Sequence, residues 1–366
     1  MKLIHCADLH IDSPMAALPK EVAAKRREEL LLGFKKMVDY ASANNIKNIL
    51  ISGDLFDRKR PSASAVNSVT SVIEANPDIC FFYLKGNHDC DELYEDKALI
   101  PDNLKLFGDN WTHYIIGEGD AGEGCSVNVY GIEPGVDNKD RINSAPVLDM
   151  NDFNIVMMHG DVSDSSDISL RNFRGCGIDY LALGHIHSYR YEELDKRGYF
   201  CYPGCLESRG FDECGEHGFV VIDINRYDHT QNVQLRNVSV RNVAKLEVDI
   251  SDCINSVDIL EAAKRTADRG NHSADDMLLI ELVGSTDISC DKNLHMIEQY
   301  FDNNYYLARV HDKSEYRVDY KDYALDESLK GEFVRMVSQD NSICDEDKAA
   351  IIRLGIRALK GEELDI

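Results

Sequence analysis

The sequence predicts an α/β protein in its first 225 residues, followed by a smaller α/β unit and a helical tail. Short apolar runs recur in this first part, and they are rich in Ile, Leu, Val, Phe and Tyr, as buried strands are. Each run ends in a cluster of polar residues, and helical stretches often separate one run from the next. That order of elements is typical of an α/β domain.

The predicted elements of this first part can be placed along the chain. Strands are predicted over residues 2–6, 46–51, 79–84, 127–132, 154–158, 179–183 and 218–224. A helix is predicted between the first two strands, over residues 19–43, because its apolar residues share one face. The residues of this face are Leu30, Phe34, Met37, Val38 and Ala41.

A second unit is predicted to begin near residue 241. Strands over residues 245–250, 277–283 and 305–311 alternate there with helices over residues 257–268 and 293–301. We therefore expect three domains, which are residues 1–240, 241–318 and 319–366, the last a helical tail. Apolar residues recur at helical spacing in the tail, so this stretch could dock a partner or pack on its own domain. They are Ala350, Ile351, Leu354, Ala358 and Leu359.

Composition excludes several classes of protein. The 366 residues are 43% hydrophobic and 29% charged, which fits two or three folded domains and not a disordered chain. The sequence has no stretch of about 18 uncharged apolar residues, which argues against a membrane protein. Asp8 lies where a signal peptide would need an apolar core. The 11 cysteines are scattered without a Cys-x-x-Cys pair, which indicates reduced thiols in a cytoplasmic protein.

The charge of the chain bears on its partners. Asp and Glu number 65 against 40 Lys and Arg, a formal net charge of −25. Nucleic-acid-binding proteins usually carry a basic surface, so this charge argues against tight, unaided binding of DNA. The argument is weaker for an enzyme with bound metal ions, because divalent cations are themselves strong local positive charges.

Five of the predicted strands end in residues that bind metals. Loops at the carboxyl ends of strands converge in α/β sheets, so one crevice could gather all five motifs. Each motif alone is a weak signal, but five of the 12 histidines of the chain fall in these motifs. The motifs are Asp8-Leu9-His10, Gly53-Asp54-Leu55-Phe56-Asp57, Gly86-Asn87-His88-Asp89, His159-Gly160 and Gly184-His185-Ile186-His187.

The donor types predict a pair of divalent ions. Imidazole nitrogen with Asp and Asn oxygen suits borderline metals, and the absence of a thiolate argues against structural zinc. The candidate ligands exceed the needs of one ion and fit two ions about 3.5–4 Å apart that share a carboxylate. We assign Asp8, His10, Asp54 and His187 to one ion, and Asp54, Asn87, His159 and His185 to the other.

His88 and Asp57 are predicted to take part in the reaction without binding metal. His88 follows the candidate ligand Asn87, so it should lie at the rim and protonate a leaving alkoxide. Asp57 could hold the other ring nitrogen of His88. A DNA phosphate could contact the basic residues that follow, although a solvated loop is an equal alternative. These residues are Arg58, Lys59 and Arg60.

The ordered set of motifs resembles the calcineurin-like metallophosphoesterase superfamily over about residues 1–225. This resemblance implies a sandwich of two sheets flanked by helices. The segments HCADLHIDSP, GDLFDRKRPS, GNHD, LALGHIHS and YPGCLESRGFDE are also similar to the SbcD and YhaO branch of DNA repair exonucleases. The branch matches Tyr202, Pro203, Gly204, Glu207 and Arg209, to which we assign no chemical role. Asp57 is a departure, because some members of the branch have His there.

The branch also implies a cofactor and partners. Manganese is its usual ion, although the ligands do not separate manganese from iron, zinc or magnesium. The unit at 241–318 would be a cap that helps to position DNA. The tail would bind the coiled-coil base of an SbcC-type ATPase, and a homodimer is compatible with the sequence.

We therefore expect a two-metal phosphodiesterase that acts on DNA, as a 3′-to-5′ exonuclease. A hydroxide that bridges the metals would attack the phosphorus, and His88 would protonate the departing oxygen. One alternative is a phosphomonoesterase or a phosphodiesterase for small nucleotides, which would share every motif. A second alternative is a largely non-catalytic subunit that binds DNA ends or the ATPase.

Overall fold

Two six-stranded β-sheets form the first part of the chain in the computed structural model. The structure describes residues 1–58, 60–89, 100–117, 125–135, 139–162, 168–288, 290–317 and 323–359. The chain divides into two compact units, residues 1–242 and 243–366. The finer division into three domains stays a prediction. None of the described helices is both long enough and apolar enough to cross a membrane.

The first sheet has the strand order β12-β11-β1-β2-β3-β4. Strands β1 to β4 run parallel, and β11 is antiparallel to both β1 and β12. Its strands are β1 (Lys2–Cys6), β2 (Asn48–Ser52), β3 (Cys80–Leu84), β4 (Leu104–Leu106), β11 (Gly218–Asn225) and β12 (Thr230–Asn237).

The second sheet has the order β5-β6-β7-β8-β10-β9. Its four central strands run parallel, and the edge strands β5 and β9 are antiparallel to their neighbours. Its strands are β5 (Thr112–Gly117), β6 (Val127–Gly131), β7 (Phe153–His159), β8 (Tyr180–Gly184), β9 (Arg190–Glu193) and β10 (Tyr199–Tyr202).

The two sheets pack face to face around one apolar core. Leu3 and Leu50 of the first sheet join Phe153 and Ile155 of the second in a single buried cluster. Because successive side chains of a strand point to opposite faces, the next residues along β1 and β2 face away from the second sheet. The strands are therefore apolar on both faces, as parallel strands between two layers are.

Helices cover the outer face of the first sheet. They are α1 (Lys20–Ala43) and α2 (Ala63–Glu74). A third, short helix of this unit is α3 (Lys139–Ile142). All five residues predicted for the apolar face of α1 are buried. Phe34 and Met37 pack against Ile49 and Ile51 of β2. Ser62 caps α2 by accepting a hydrogen bond from the Ala65 amide at 3.2 Å. The predicted two-sheet sandwich with flanking helices is confirmed.

The second unit has its own small core. Its three parallel strands are β13 (Val243–Asp249), β14 (Met277–Val283) and β16 (Leu307–Asp312), and β15 (Ser285–Asp287) pairs with β17 (Glu315–Arg317). Helices α4 (Ser256–Arg269) and α5 (Leu294–Asp302) pack on the three-stranded sheet. The predicted small α/β unit is therefore confirmed.

A helical hairpin follows, formed by α6 (Leu329–Gln339) and α7 (Asp345–Leu359). The helices pack through Val334 of α6 and through Ile352 and Ile356 of α7. The buried face of α7 differs from the apolar face that the sequence predicts, because Ile351 and Leu359 are exposed. The buried stripe lies on the neighbouring positions of the helix. Residues 319–322 and 360–366 of the predicted helical tail lie outside the described residues.

Candidate metal centre

The five predicted motifs lie at the carboxyl ends of β1, β2, β3, β7 and β8. Parallel pairing of β1 with β2 and of β2 with β3 brings the first three motifs to one edge of the first sheet. Parallel pairing of β7 with β8 does the same for the last two in the second sheet. The sandwich places these two edges together, so side chains from distant stretches of sequence can meet.

His10, His187 and Asp8 form the first group of donor atoms. The Nε2 atoms of His10 and His187 face each other at 3.2 Å. A carboxylate oxygen of Asp8 lies within 4.8 Å of a ring nitrogen of each. Two imidazole nitrogens about 2.1 Å from a shared ion would be separated by about 3 Å, so this arrangement fits a divalent metal. The first group is also near Asp54, whose Oδ2 lies 3.9 Å from His10 Nε2.

Asn87, His159 and His185 form the second group. The Oδ1 atom of Asn87 lies 3.0 Å from His159 Nε2 and 3.1 Å from His185 Nδ1. The Oδ2 atom of Asp54 lies 3.4 Å from His159 Nε2. The same oxygen of Asp54 thus lies between the two groups. Its other oxygen, Oδ1, accepts a hydrogen bond from the His88 amide at 2.8 Å, which fixes the carboxylate in this orientation.

Hydrogen bonds behind the histidines leave the remaining ring nitrogen available for a metal. His159 Nδ1 donates to the carbonyl oxygen of Ser52 at 2.9 Å. His187 Nδ1 donates to Glu213 Oε1 at 2.7 Å. Such contacts fix the tautomer and the ring orientation of a metal ligand. The donor set and its outer contacts together fit two divalent ions.

The first unit of the chain matches a known protein family. A family model described as calcineurin-like phosphoesterase matches residues 1–189, which is more than half of the chain. This chain belongs to the calcineurin-like phosphoesterase family. The family depends on two metal ions. Its members hydrolyse phosphoester bonds, and the Asp and His clusters of this chain are candidate sites for the metals.

Several curated relatives are similar to this member of the family. The uncharacterized metallophosphoesterase YhaO of Bacillus subtilis (strain 168) is 26% identical, over 73% of this chain and 67% of that protein. The DNA double-strand break repair protein Mre11 of Archaeoglobus fulgidus is 26% identical, over 57% of this chain but only 50% of that protein. Mre11 of Saccharolobus solfataricus is 24% identical, over 94% of this chain and 97% of that protein.

These relatives confirm the predicted resemblance to the SbcD and YhaO branch, at modest identity. Among solved structures, the protein TT1561 of Thermus thermophilus gives a TM-score of 0.40 at 10% identity, covering 64% of this chain and 98% of that one. This likeness is too weak to inform the function.

The surroundings of two buried groups in the site raise their pKa values. Burial raises the pKa of Asp8 to about 7, although the charges of His159 and His187 oppose that rise. Burial would lower the pKa of His159, but the hydrogen bond and charge of Asp54 raise it to about 9. Because metal ligands must lose such protons, a divalent ion that binds here would displace protons.

The backbone around the ligands is strained. Asp8, His10, Asp54 and His185 have φ angles of 53°, 47°, 52° and 104°. Each residue in this left-handed region costs on the order of 1–3 kcal/mol, a feature found at functional sites. Only glycine fits at position 53. Its φ of 94° disfavours other residues, and a Cβ atom there would collide with the ring of His159.

His88 and Asp57 are brought together at the rim of the site. The His88 side chain is 46% exposed, and its Nδ1 lies 3.0 Å from Asp57 Oδ1. The same oxygen lies 3.1 Å from Nδ1 of His10. Asp57 therefore stands behind both a candidate ligand and the candidate proton donor. Arg58 and Arg60 are exposed, and the predicted contact residue Lys59 lies outside the described residues.

Four residues of the site have structural roles that sequence reasoning did not assign. Ser13 Oγ donates to Asp57 Oδ2 at 2.6 Å. Asp89, the last residue of the Gly-Asn-His-Asp motif, accepts from the amides of Phe56 at 2.8 Å and Gly86 at 2.9 Å, which joins two ligand loops. The other two residues are Arg209 and Glu213. Both lie in the segment YPGCLESRGFDE, so similarity to the branch was the signal that could have found them.

Proposed function

We propose that this chain is a dinuclear-metal phosphodiesterase that acts on DNA as a 3′-to-5′ exonuclease. The observation that carries the proposal is Asp54 Oδ2, which lies between two groups of donor atoms with a histidine Nε2 in each. That arrangement supports two adjacent ions that share one carboxylate. The Mre11 relatives, which are named as DNA double-strand break repair proteins, support DNA as the substrate.

The chain would bind one ion through Asp8, His10, Asp54 and His187, and the other through Asp54, Asn87, His159 and His185. When bound, such a pair of ions activates a water molecule and neutralises the charge of a phosphate. Manganese is the ion we propose, since imidazole, carboxylate and amide donors suit it, as they do iron and zinc.

His88 would donate a proton to the departing 3′ oxygen. Its exposed ring can meet a substrate, and the contact of its Nδ1 with Asp57 leaves Nε2 for the transfer. Asp57 stabilises the protonated ring during this step. Arg58 and Arg60 are exposed nearby in sequence and would contact DNA phosphates, together with Lys59.

The test uses purified protein, Mn²⁺ and duplex DNA labelled at either the 3′ or the 5′ end. Early release of the 3′ label is expected. The His88→Ala protein should bind Mn²⁺ normally yet cleave about 10²- to 10⁴-fold more slowly, the usual contribution of a general acid. His113→Ala removes an exposed histidine that stacks on Tyr130 and serves as the matched control. Full activity in His88→Ala would remove this residue from the mechanism.

The substrate class is tested in parallel. Turnover of p-nitrophenyl phosphate and bis-p-nitrophenyl phosphate is compared with turnover of DNA. Preference for the monoester, or for a small nucleotide diester, would replace the exonuclease proposal with that activity. A protein that cleaves none of them with any divalent metal, but captures DNA ends or an ATPase, would be a binding subunit.

Partners and location are proposals of the same kind. We propose DNA and a coiled-coil ATPase of the SbcC type as partners, and a homodimer of the chain in a cytoplasmic location. Exposed apolar side chains in and before α6 support a partner at the tail, since Leu325, Leu329 and Met336 are 92%, 68% and 65% exposed. Co-purification with the ATPase, with and without these side chains, tests this surface.

A further inference from the structure

Arg209 connects two carboxylates that stand behind different parts of the metal centre. Its Nε and Nη2 atoms donate to Glu213 Oε1 at 3.0 and 2.7 Å. Its Nη1 atom forms an ion pair with Asp57 Oδ2 at 3.3 Å. All three nitrogens of the guanidinium group therefore face carboxylates of the protein, and Nη2 also lies 3.2 Å from His187 Nδ1.

The two carboxylates serve different functional side chains. Glu213 accepts the hydrogen bond from His187, a candidate ligand of the first ion. Asp57 lies beside His88, the candidate proton donor, and also beside His10, a second candidate ligand of the first ion. A single guanidinium group thus contacts both carboxylates, with Ser13 as a further partner of Asp57, and the carboxylates in turn orient the rings.

The loop that carries Arg209 is anchored to α1. Arg26 is fully buried, and its guanidinium group binds Glu207 at 2.8 Å and the carbonyl oxygen of Ser208. The backbone just before Arg209 is therefore fixed by a residue of another element. In addition, the Arg209 amide donates to Glu213 Oε2 at 2.7 Å, which closes the loop on itself. The guanidinium group is held at a defined place between Glu213 and Asp57.

We propose that Arg209 is a positioning residue that couples metal binding to proton donation. Through Glu213 it would hold His187 in the orientation that binds metal, and through Asp57 it would hold His88 in the orientation that protonates the leaving group. Arg209 itself would not contact substrate. This inference rests on the proposed function for the role of His88, whereas the metal arm stands on the site geometry alone.

The first arm of the test measures Mn²⁺ affinity of the full-length protein by calorimetry. Arg209→Gln should weaken Mn²⁺ binding about 10-fold. This is the lower end of the usual loss of affinity when a residue that supports a metal ligand is changed. Arg209→Lys should recover part of the loss, because it keeps the charge but cannot reach both carboxylates as the planar group does. This readout does not depend on activity.

The second arm compares leaving groups. The p-nitrophenolate of bis-p-nitrophenyl phosphate leaves as a stable anion, whereas the alkoxide of DNA needs a proton. Arg209→Gln should therefore lose about 10-fold more activity on DNA than on the nitrophenyl diester, at saturating Mn²⁺. If the wild-type protein does not cleave DNA, the exonuclease proposal fails by itself. The same ratio is then measured between glycerol phosphate and p-nitrophenyl phosphate.

Arg197→Gln is the matched control. Arg197 has the same side-chain exposure as Arg209, 21%, and it binds Asp179, a fully buried carboxylate away from the metal centre. Arg197→Gln should leave both the affinity and the ratio unchanged. A change in only one of the two readouts in Arg209→Gln would overturn the coupling. Equal changes in Arg197→Gln, or none in Arg209→Gln, would also overturn it.

Discussion

Two buried clusters of charge in the first unit differ in how their charges are balanced. In one cluster, Arg26 pairs with Glu207 at 2.8 Å and with Glu29 at 2.6 Å, and Arg241 pairs with Glu29 at 2.8 Å. Two guanidinium groups thus face two carboxylates. Burying charge is costly unless the charges are paired and hydrogen-bonded, and here the protein supplies both signs itself.

The metal centre has carboxylates without such partners. Asp8 and Asp54 are each 1% exposed. Within the part of the chain that the structure describes, neither forms an ion pair with lysine or arginine, and Asp54 pairs only with His10 and His159. The first cluster is neutralised by arginines of the protein. Asp8 and Asp54 are not, which is what a site for bound metal ions requires.

Removing a carboxylate from the centre should have the largest effect on function. Asp54→Asn keeps the shape of the side chain but removes the charge shared by both groups. Phosphoesterase activity should fall by about 10³-fold or more, on the scale of losing a main electrostatic stabiliser. Metal analysis of the purified protein should show less than two ions per chain. Two tightly held ions in Asp54→Asn would mean that this residue does not bridge.

Breaking the balanced cluster should cost stability instead. Arg26→Met leaves Glu29 and Glu207 buried without that partner, which should lower the free energy of unfolding by about 3–5 kcal/mol. Urea unfolding measures this loss. Arg27→Met changes the neighbouring arginine, whose side chain contacts the carbonyl oxygen of Pro14, and should cost less than about 1 kcal/mol. Equal losses in the two proteins would show that the buried cluster contributes nothing particular.

Metal should stabilise the protein more as pH rises. At Asp8 and His159 the folded chain without metal binds more protons than the unfolded chain, because the pKa of Asp8 is raised from 3.8 to about 7 and that of His159 from 6.5 to about 9. The stability that these two groups contribute is therefore lost as pH rises, from about 4 to 7 for Asp8 and from about 6.5 to 9 for His159. A divalent ion replaces these protons, so the gain in Tm on adding Mn²⁺ should grow from about pH 6 to about pH 8.5.

Thermal melts with and without Mn²⁺, kept anaerobic, measure this gain. At a metal concentration about 100 times the Kd, binding to the native state adds about 2.7 kcal/mol, which is a readily measured shift. A gain that stays constant or shrinks with rising pH would show that the protons of Asp8 and His159 are not exchanged for metal.

The metal ligands could be predicted from the sequence, whereas the residues that orient them could not. Ligands such as Asp8 and Asn87 lie in short motifs that follow strands, and the ordered set of these motifs can be read from the sequence. Partners such as Glu213 and Arg209 act through pairs that are distant in sequence. His187 and Glu213 are 26 residues apart, and no local pattern joins them. The two-sheet arrangement likewise came from resemblance, since periodicity predicts strands but not how sheets pack.

The smallest effect is expected from the partner of His187. Glu213→Gln keeps a hydrogen-bond acceptor but removes the charge behind the ring, so the imidazole becomes a weaker ligand. Mn²⁺ affinity should fall about 10-fold, or about 1.4 kcal/mol, and the free energy of unfolding should also fall, because Glu213 is the buried partner of Arg209. Calorimetry and urea unfolding of the same sample separate the two quantities. An unchanged affinity would mean that the charge of Glu213 serves only to balance Arg209, and that the centre relies on its own donors to orient His187.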